Sequence, residues 1–510
     1  MDMQMPSQPL VADQRRRLIV FLFLMTAMFM ATLDNQIVST ALPTIVGEFG
    51  HLERFGWIGS AYLLSLSAVM PVYGKLGDLF GRKYVMLTAV AIFTIGSAVC
   101  GLAVSMNTLI AARVLQGLGG GGILVSIFSI NADLFEPRER ARYQSYSSLV
   151  LMASGAIGPV LGGTMSDLFG WRSIFLVNVP IGIVVIAGVS LMLPYRKPAR
   201  RPKIDYAGAI LLALTTTSIV LTADASELFG SLFSLESAAL VAAGILCAVA
   251  WVLVERRAPE PIVPLVLFRN PTVGLLLVIS IASGGVAIGM LNYFALFLQT
   301  TTGLSPSMAG LLFILLTGGI VCGSLSAGRL IAASGRYKPF AVASMGCSIV
   351  AFATLSQLPS GVPVGVIGAL MLLHGIGIGL AQQVPVIGIQ NAASARDVGA
   401  ATGAVTLSRM GGASIAISIY GAIIAAKLAR GGIAIPGVAD IEQLTPKMMA
   451  ALPEASRQAV AATYTAAFSP LFLTSAGLCV TGLLAALALK NVQLPAAVKR
   501  TDAAAAHAAE

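Results

Sequence analysis

Charge is what this chain lacks most. Only 11% of its 510 residues are Asp, Glu, Lys or Arg, against about 25% in ordinary soluble domains. Hydrophobic residues make up 57%, and the mean hydropathy is +0.87, so water is excluded as the main solvent. A string of soluble domains is excluded too: one soluble core stops growing near roughly 250–300 residues, yet no polar linker interrupts the apolar pattern. Cysteine is scarce, and Cys100, Cys247, Cys322, Cys347 and Cys479 stand singly in apolar runs without a C-x-x-C pair, which argues against a disulfide framework or a metal site. The three His, at 51, 374 and 507, are too scattered for a clustered metal enzyme. No G-x-x-x-x-G-K-[ST] signature occurs, so nucleotide hydrolysis within this chain is not expected. Neither a cofactor nor a metal is expected. The net charge of +10 fits basic residues kept on one face of a bilayer better than a nucleic-acid partner.

Long apolar runs fill the chain instead. A bilayer-spanning helix needs about 20 mostly apolar residues, and stretches of that kind cover 18–43, 56–74, 84–103, 108–131, 143–166, 173–193, 206–223, 237–254, 271–297, 307–328, 339–358, 364–390, 398–426 and 461–489. The expected fold is an all-α integral membrane protein of about fourteen transmembrane helices. Residues 18–43 read as a first spanning helix rather than a cleaved leader, because the apolar run continues past Asp34. With the amino terminus inside, the inner segments collect Arg15 to Arg17, Lys75, Arg82, Lys83, Arg138, Arg140, Arg142, Lys197 to Lys203, Arg329, Arg336, Lys338 and Arg396; the outer ones hold only Arg54, Arg172, Lys427, Arg430, Lys447 and Arg457. That bias puts both termini in the cytoplasm. The outer excursion 428–460 is expected to carry no chemistry, and the Ala-rich tail 501–510 to be disordered or frayed.

An internal repeat organises the spans. Gly74-Lys75-Leu76-Gly77-Asp78-Leu79-Phe80-Gly81-Arg82-Lys83 returns in weakened form as Gly328-Arg329-Leu330-Ile331-Ala332-Ala333-Ser334-Gly335-Arg336-Tyr337. Applying that spacing to Arg17 lands on Pro271, where the ninth span begins. The expectation is two six-helix pseudo-repeats with two helices inserted between them. The chain divides into a cytoplasmic N-terminus (1–17), a first bundle (18–195), a linker with the inserted helices (196–270), a second bundle (271–490) and a cytoplasmic tail (491–510). Transporters commonly hold substrate between two such repeats, which rock around it.

Four segments bear on the family: Gly74 to Lys83; Leu33-Asp34-Asn35-Gln36-Ile37-Val38 with Ala41-Leu42-Pro43; Arg113-Val114-Leu115-Gln116-Gly117; and Gly158-Pro159-Val160-Leu161-Gly162-Gly163. In that order and on those helices they resemble the signatures of major facilitator superfamily transporters of the fourteen-helix drug:proton antiporter type, over nearly the whole chain. Gln36 stands where a Thr is usual, and Ser154 and Val150 where glycines are usual. The resemblance implies a multidrug efflux pump in a bacterial inner membrane, and that Gly158, Pro159, Gly162 and Gly163 bend helix five and seal it against proton leak. Close packing by glycine is the simpler reading of that segment.

Ionisable groups inside a bilayer are expensive and usually face a cavity. Those inside the spans are Asp34, Arg113, His374 and Arg409. Asp34 and Arg113 are expected to share a polar cavity, with Asp34 accepting the proton and Arg113 tuning it; the alternative is a static pair between helices one and four. Gly74, Asp78, Gly81 and Arg82 are expected to form a cytoplasmic gate, Asp78 either capping the next helix or meeting Arg82 and a neighbouring helix end. Gln116, Tyr293, Gln299, His374 and Arg409 are candidates for the substrate cavity, with Asn292, Gln382, Gln383 and Gln390 as polar company for Arg409. His374 could titrate or sit neutral and hydrogen-bonded, and Met25, Phe29, Tyr293, Phe294, Phe297 and Phe313 could line an adaptable apolar pocket.

The leading functional reading is a proton-driven exporter of hydrophobic or amphipathic compounds, working as a monomer, with a periplasmic adaptor as a compatible partner. Export of one endogenous metabolite, peptide or siderophore-like compound is the alternative. A membrane-embedded enzyme or sensor would need the clustered His, Asp and Glu that are missing.

Overall fold

The computed structural model describes residues 10–11, 13–49, 55–196, 205–223, 234–304, 306–394, 397–430 and 453–494. The basic run Lys197 to Lys203, His51, Arg54, Arg396, Lys447, most of the outer excursion, His507 and the Ala-rich tail lie outside them.

The chain is built of helices: α1 Gln14–Phe49, α2 Phe55–Phe80, α3 Arg82–Gly101, α4 Met106–Leu134, α5 Pro137–Phe169, α6 Ser173–Leu176, α7 Asn178–Met192, α8 Tyr206–Ala223, α9 Leu235–Glu255, α10 Pro271–Ala287, α11 Leu291–Thr302, α12 Pro306–Ser334, α13 Lys338–Leu355, α14 Val364–Ala381, α15 Val384–Ala392, α16 Val398–Arg430 and α17 Glu454–Ala488. Each of the fourteen expected stretches falls on helix, with the sixth, ninth and twelfth broken in two. Ten described spans, two of them joining α6 to α7 and α14 to α15, are long and apolar enough to cross a membrane, eleven when the bent α5 counts as one; α8 and α10 are shorter apolar helices. Local signals set several starts. Ser105 accepts from Thr108 N at 3.3 Å ahead of α4, and Asn270 Oδ1 accepts from Thr272 N at 3.0 Å ahead of α10.

Buried apolar side chains form separate cores. Two lie within the first half, a large one is built by α10 to α17 and takes in Ala141 of α5, and a small one lies where α8 and the segment after α9 meet α16. The two inserted helices pack on each other, and α8 lies against α2 and α16. The halves meet along two seams, α2 with α16 and α5 with α12. These seams are related by the sequence repeat. A Cβ on Gly74 would run into the backbone of Gly399, and one on Gly328 would meet Ser145 Cβ at 2.6 Å. Both pairs of partners are 254 residues apart (328 − 74 and 399 − 145), so the duplication extends from the helices to their contacts.

The segment from Gly74 to Lys83 is not the loop that its fall in hydropathy predicts. Helix α2 runs on to Phe80 and α3 starts at Arg82, leaving Gly81 alone between them at φ +90°. The repeat does the same: α12 runs to Ser334 and turns at Gly335, φ +70°. Only glycine takes that region without strain, so the two glycines hold the turns while the lysine, acid and arginine around them stay on helix.

The end of the molecule that carries these turns is rich in basic side chains, several of which serve as helix caps. Arg16 Nε donates to Met192 O at 2.9 Å and Lys83 Nζ to Ser190 O at 2.7 Å, both at the end of α7. Lys338 does the same for α17 through Leu487 O and Leu489 O. Beyond α17 the chain folds back: Leu494 N donates to Gly335 O at 2.7 Å, and Leu494 O accepts from Arg138 Nε of α5 at 2.9 Å.

Candidate functional site

Five helices of the first half aim polar groups at one point. Asp34 comes from the middle of α1, and Arg113 and Gln116 lie three residues apart on one face of α4. Ser97 stands on α3, Asn178 at the first turn of α7, and α2 offers the carbonyl of Ile58 and the ring of Tyr62. Asp34 Oδ2 pairs with Arg113 Nη1. Asp34 Oδ1 accepts from Gln116 Nε2 at 2.7 Å and from Asn178 Nδ2 at 2.9 Å. Both amides also donate to Ser97 Oγ, at 2.6 and 3.2 Å. Arg113 donates from Nη1 to Gln116 Oε1 at 2.7 Å and from Nε to Ile58 O at 3.0 Å, and its guanidinium carbon sits 4.3 Å from the Tyr62 ring centre. Asp34 is 1% exposed and Arg113 0%, so in this conformation protein encloses the pair rather than an open cavity. Gln116 belongs to this cluster, holding the carboxylate, rather than to a separate substrate surface. Asn178, Ser97 and Tyr62 were not anticipated. They carry no charge, and the only signal in the sequence is a polar side chain inside an apolar run.

Along the seam between α1 and α5, Thr32 and Ser154 share a hydrogen bond of 2.7 Å, and the missing side chain of Gly158 makes room for Gln36. Gln36 on α1 and Ser154 on α5 therefore meet each other's helices across this seam. The helix bends by 44° between its stretches Pro137–Gly155 and Val160–Phe169, where a bend was expected; the side chain of Pro159 lies outside the described ones. Gly162 is buried, and Gly163 has open space where a Cβ would be.

At the basic end, Asp78 crosses from one half to the other. Its Oδ1 accepts from Gly399 N at 3.1 Å and its Oδ2 from Gly399 N and Ala400 N at 2.9 and 3.0 Å. These are orphan donors at the start of α16, where a carboxylate is favoured by the helix dipole as well. Asp78 does not cap α3. Arg82 reaches back to Asp78 at 3.3 Å and to Asp133 at 2.8 Å, and donates to Ser129 O. Asp78 lies past the apolar stretch of α2; burial pushes its carboxyl up to about 6, against the downward pull of Arg82 and the two amides. Next to it Lys75, 1% exposed, pairs with Glu260 of the segment after α9 at 3.2 Å. A second layer joins the halves deeper in: Arg140 Nη1 to Gln390 Oε1 at 3.2 Å, Gln390 Nε2 to Thr402 Oγ1 at 3.0 Å, and Ser148 Oγ to Ser324 Oγ and Gln382 Oε1 at 2.7 Å each.

The second half treats its candidates differently. His374 is buried, with Nδ1 3.1 Å from Ser348 Oγ and Nε2 3.2 Å from Val286 O, against the rings of Phe352 and Phe294. It is a core residue of the second bundle. Tyr293 OH donates to Ile417 O at 2.9 Å, and Gln299 is half-buried on α11. The aromatic and Met candidates do not share one pocket: Met25 lies in a core of the first half, Phe294 and Phe297 in that of the second. Arg409 is partly open on α16, and its Nε is buried without a partner. The side chain of Asn292 lies outside the described ones. Among the described residues no group of three His, Cys, Asp or Glu could hold a metal.

A helical membrane body made of two like bundles, each with its own core, sealed across two related seams and holding one enclosed acid–base pair, defines a transporter. The chain belongs to the major facilitator superfamily, whose family model matches residues 24–417. It is 34% identical over 497 residues to an uncharacterised MFS-type transporter of Mycobacterium tuberculosis, covering 95% of this chain and 71% of that one. It is 31% identical over 415 residues to multidrug resistance protein 3 of Bacillus subtilis, covering 81% and 80%. Among solved structures, the proton:xylose symporter XylE superposes with a TM-score of 0.59 at 13% identity over 94% of this chain and 98% of that one, a likeness that concerns the fold alone.

Proposed function

We propose that the chain exports hydrophobic or amphipathic compounds in exchange for protons, its basic end facing the cytoplasm of a bacterial cell. The observation that carries the coupling step is the enclosure of Asp34. Among the described residues its carboxylate is the one charge paired with Arg113, so a proton arriving on Asp34 leaves a buried guanidinium uncompensated. Breaking such a pair from one side is worth about 3–5 kcal/mol, which is enough to drive a rearrangement of α1 against α4. Gln116, Asn178 and Ser97 hold the carboxylate in place until then. On this reading the contacts at the basic end exclude the inward-open phase of alternating access for the described conformation. The relationship to multidrug resistance protein 3 supports the direction and breadth of transport.

The test is reconstituted transport of an uncharged amphipathic dye with and without an imposed pH gradient, comparing the natural protein with Asp34→Asn. The variant is expected to lose stimulation by the gradient while still exchanging dye at equilibrium. Undiminished gradient-driven export by Asp34→Asn would remove Asp34 from the coupling step.

A further inference from the structure

Several charged side chains stand along the seam between the halves. Among the described residues Asp34 pairs with Arg113, Asp78 and Asp133 with Arg82, and Glu260 with Lys75. Two guanidiniums deeper in the seam, those of Arg140 and Arg409, form no ion pair, although Asp133 lies close enough to Arg140 to act on it. Arg140 donates only to the oxygens of Gln390, Ala132 and Phe135, and its Nε has no partner. Arg409 makes no ion pair, and its buried Nε is unsatisfied.

The position of Arg409 follows from the helix it stands on. It lies seven residues, two turns, beyond Thr402, so the two share a face of α16. At the level of Thr402 that face meets Gln390, which in turn bonds Arg140 and the carbonyl of Phe128 on α4. Arg409 therefore stands on that face about 10 Å deeper than this sealing layer at 1.5 Å per residue. It is still partly open there. Its neighbour Met410 packs on the core of the first half, and its own carbonyl is covered by Gly284 of α10. An unpaired cation in such a place is expensive unless something supplies negative charge for part of the cycle.

We infer that the transported compounds are amphipathic organic anions, held through a sulfonate- or carboxylate-type group by Arg409 in the middle of the protein and received by Arg140 when the basic end opens. A planar oxyanion matches the forked donors of a guanidinium, and the apolar body of the compound would lie against the bundle faces. The charge balance is consistent with exchange: one anion out and one proton in carry two positive charges inward, so the pH gradient and an inside-negative potential act in the same direction. This inference rests on the exporter reading above and narrows its substrate class.

The experiment uses the full-length protein in liposomes loaded with one of two permanently charged, fluorescent probes of like shape, naphthalene-2-sulfonate or 2-naphthyltrimethylammonium, under a pH gradient that is acid outside. The sulfonate is expected to leave at least tenfold faster than the ammonium. Arg409→Gln should erase that preference and Arg409→Lys restore most of it, with thermal unfolding checked for all three proteins. Preferential export of the ammonium, or a sulfonate preference unchanged in Arg409→Gln, would overturn the inference and leave the exporter reading standing. Movement of neither probe would count against both.

Discussion

The Asp78 contact gives the seal at the basic end a dependence on pH whose sign and size can be worked out. In the closed arrangement burial raises the Asp78 carboxyl from an ordinary 3.8 to about 6; once the seam opens to water it should return toward the lower value. The closed form therefore binds a proton more tightly than the open one, and by linkage its relative stability is fully present in acid and is lost as pH rises through about 6. Between pH 7.5 and pH 5 the gain is roughly 1.4 kcal/mol, about tenfold in the ratio of closed to open protein. The latch is thus weaker near neutrality than three amide contacts would indicate, because the cost of burying the charge offsets much of what the contacts return. The assay is electron-spin distance measurement between labels at Arg142→Cys and Ala333→Cys, exposed positions near the basic end on opposite halves, with the five native cysteines replaced. Acidification should move the distribution toward the short distance. Asp78→Asn should make it insensitive to pH, whereas Asp78→Ala, which strands the amides of Gly399 and Ala400, should shift it toward the long distance by about 1–3 kcal/mol at any pH. A short-distance population that grows with rising pH, or one that keeps its pH dependence in Asp78→Asn, would refute the linkage.

Three further outcomes follow from contacts already described. Asp34→Ala leaves Arg113 buried and unpaired and should lower stability by about 3–5 kcal/mol, read as a fall in the thermal unfolding midpoint, with Asp34→Asn falling less because the amide still accepts from Gln116 and Asn178. Gly74→Leu should hold the α2–α16 seam open, because even a Cβ there would lie 2.9 Å from the carbonyl carbon of Gly399; the same labelled pair should report the long distance, and an unchanged distance would mean that the seam yields elsewhere. Ala332→Asp should fail to rescue Asp78→Ala in transport, since it places an acid opposite a stretch of α5 that has no free amides.

That last expectation shows where reading from sequence stopped. The repeat itself was legible: its spacing of 254 recurs in the turns at Gly81 and Gly335 and in the contacts of Gly74 and Gly328. The buried pair was legible because charges inside apolar runs are rare. The company of Asp34 was not, because Ser97 and Asn178 look like many other polar residues in these helices, and only the packing of α3 and α7 against α4 and α1 selects them. The extent of α2 was misjudged because hydropathy reports where the lipid ends, whereas a helix ends where its backbone must leave the αR region, here at Gly81. The loss of the acid at Ala332 is plain in the sequence, but its reason needed the structure. Asp78 faces the start of α16 at Val398, but the equivalent partner, α5, starts at Pro137, about two turns ahead of Ser145, so the amides facing Ala332 already have helical partners.

The charges buried in the two halves do not follow the duplication that the seams follow. Moved by 254 residues, Asp34 and Arg113 fall on Ile288 and Ile367, while His374 and Arg409 map back to Gly120 and Gly155. None of the charges is shared between copies, although the seams are. Ile288 ends α10, where the span breaks before α11, and Ile367 is buried in the apolar core of the second half. On the proposed reading the first bundle takes the proton and the second the anion, while the related seams oblige both bundles to move together. Coupling between the two ions then needs no direct contact. Each has only to stabilise one arrangement of the same pair of seams, and for that the asymmetry of the charges matters as much as the symmetry of the frame.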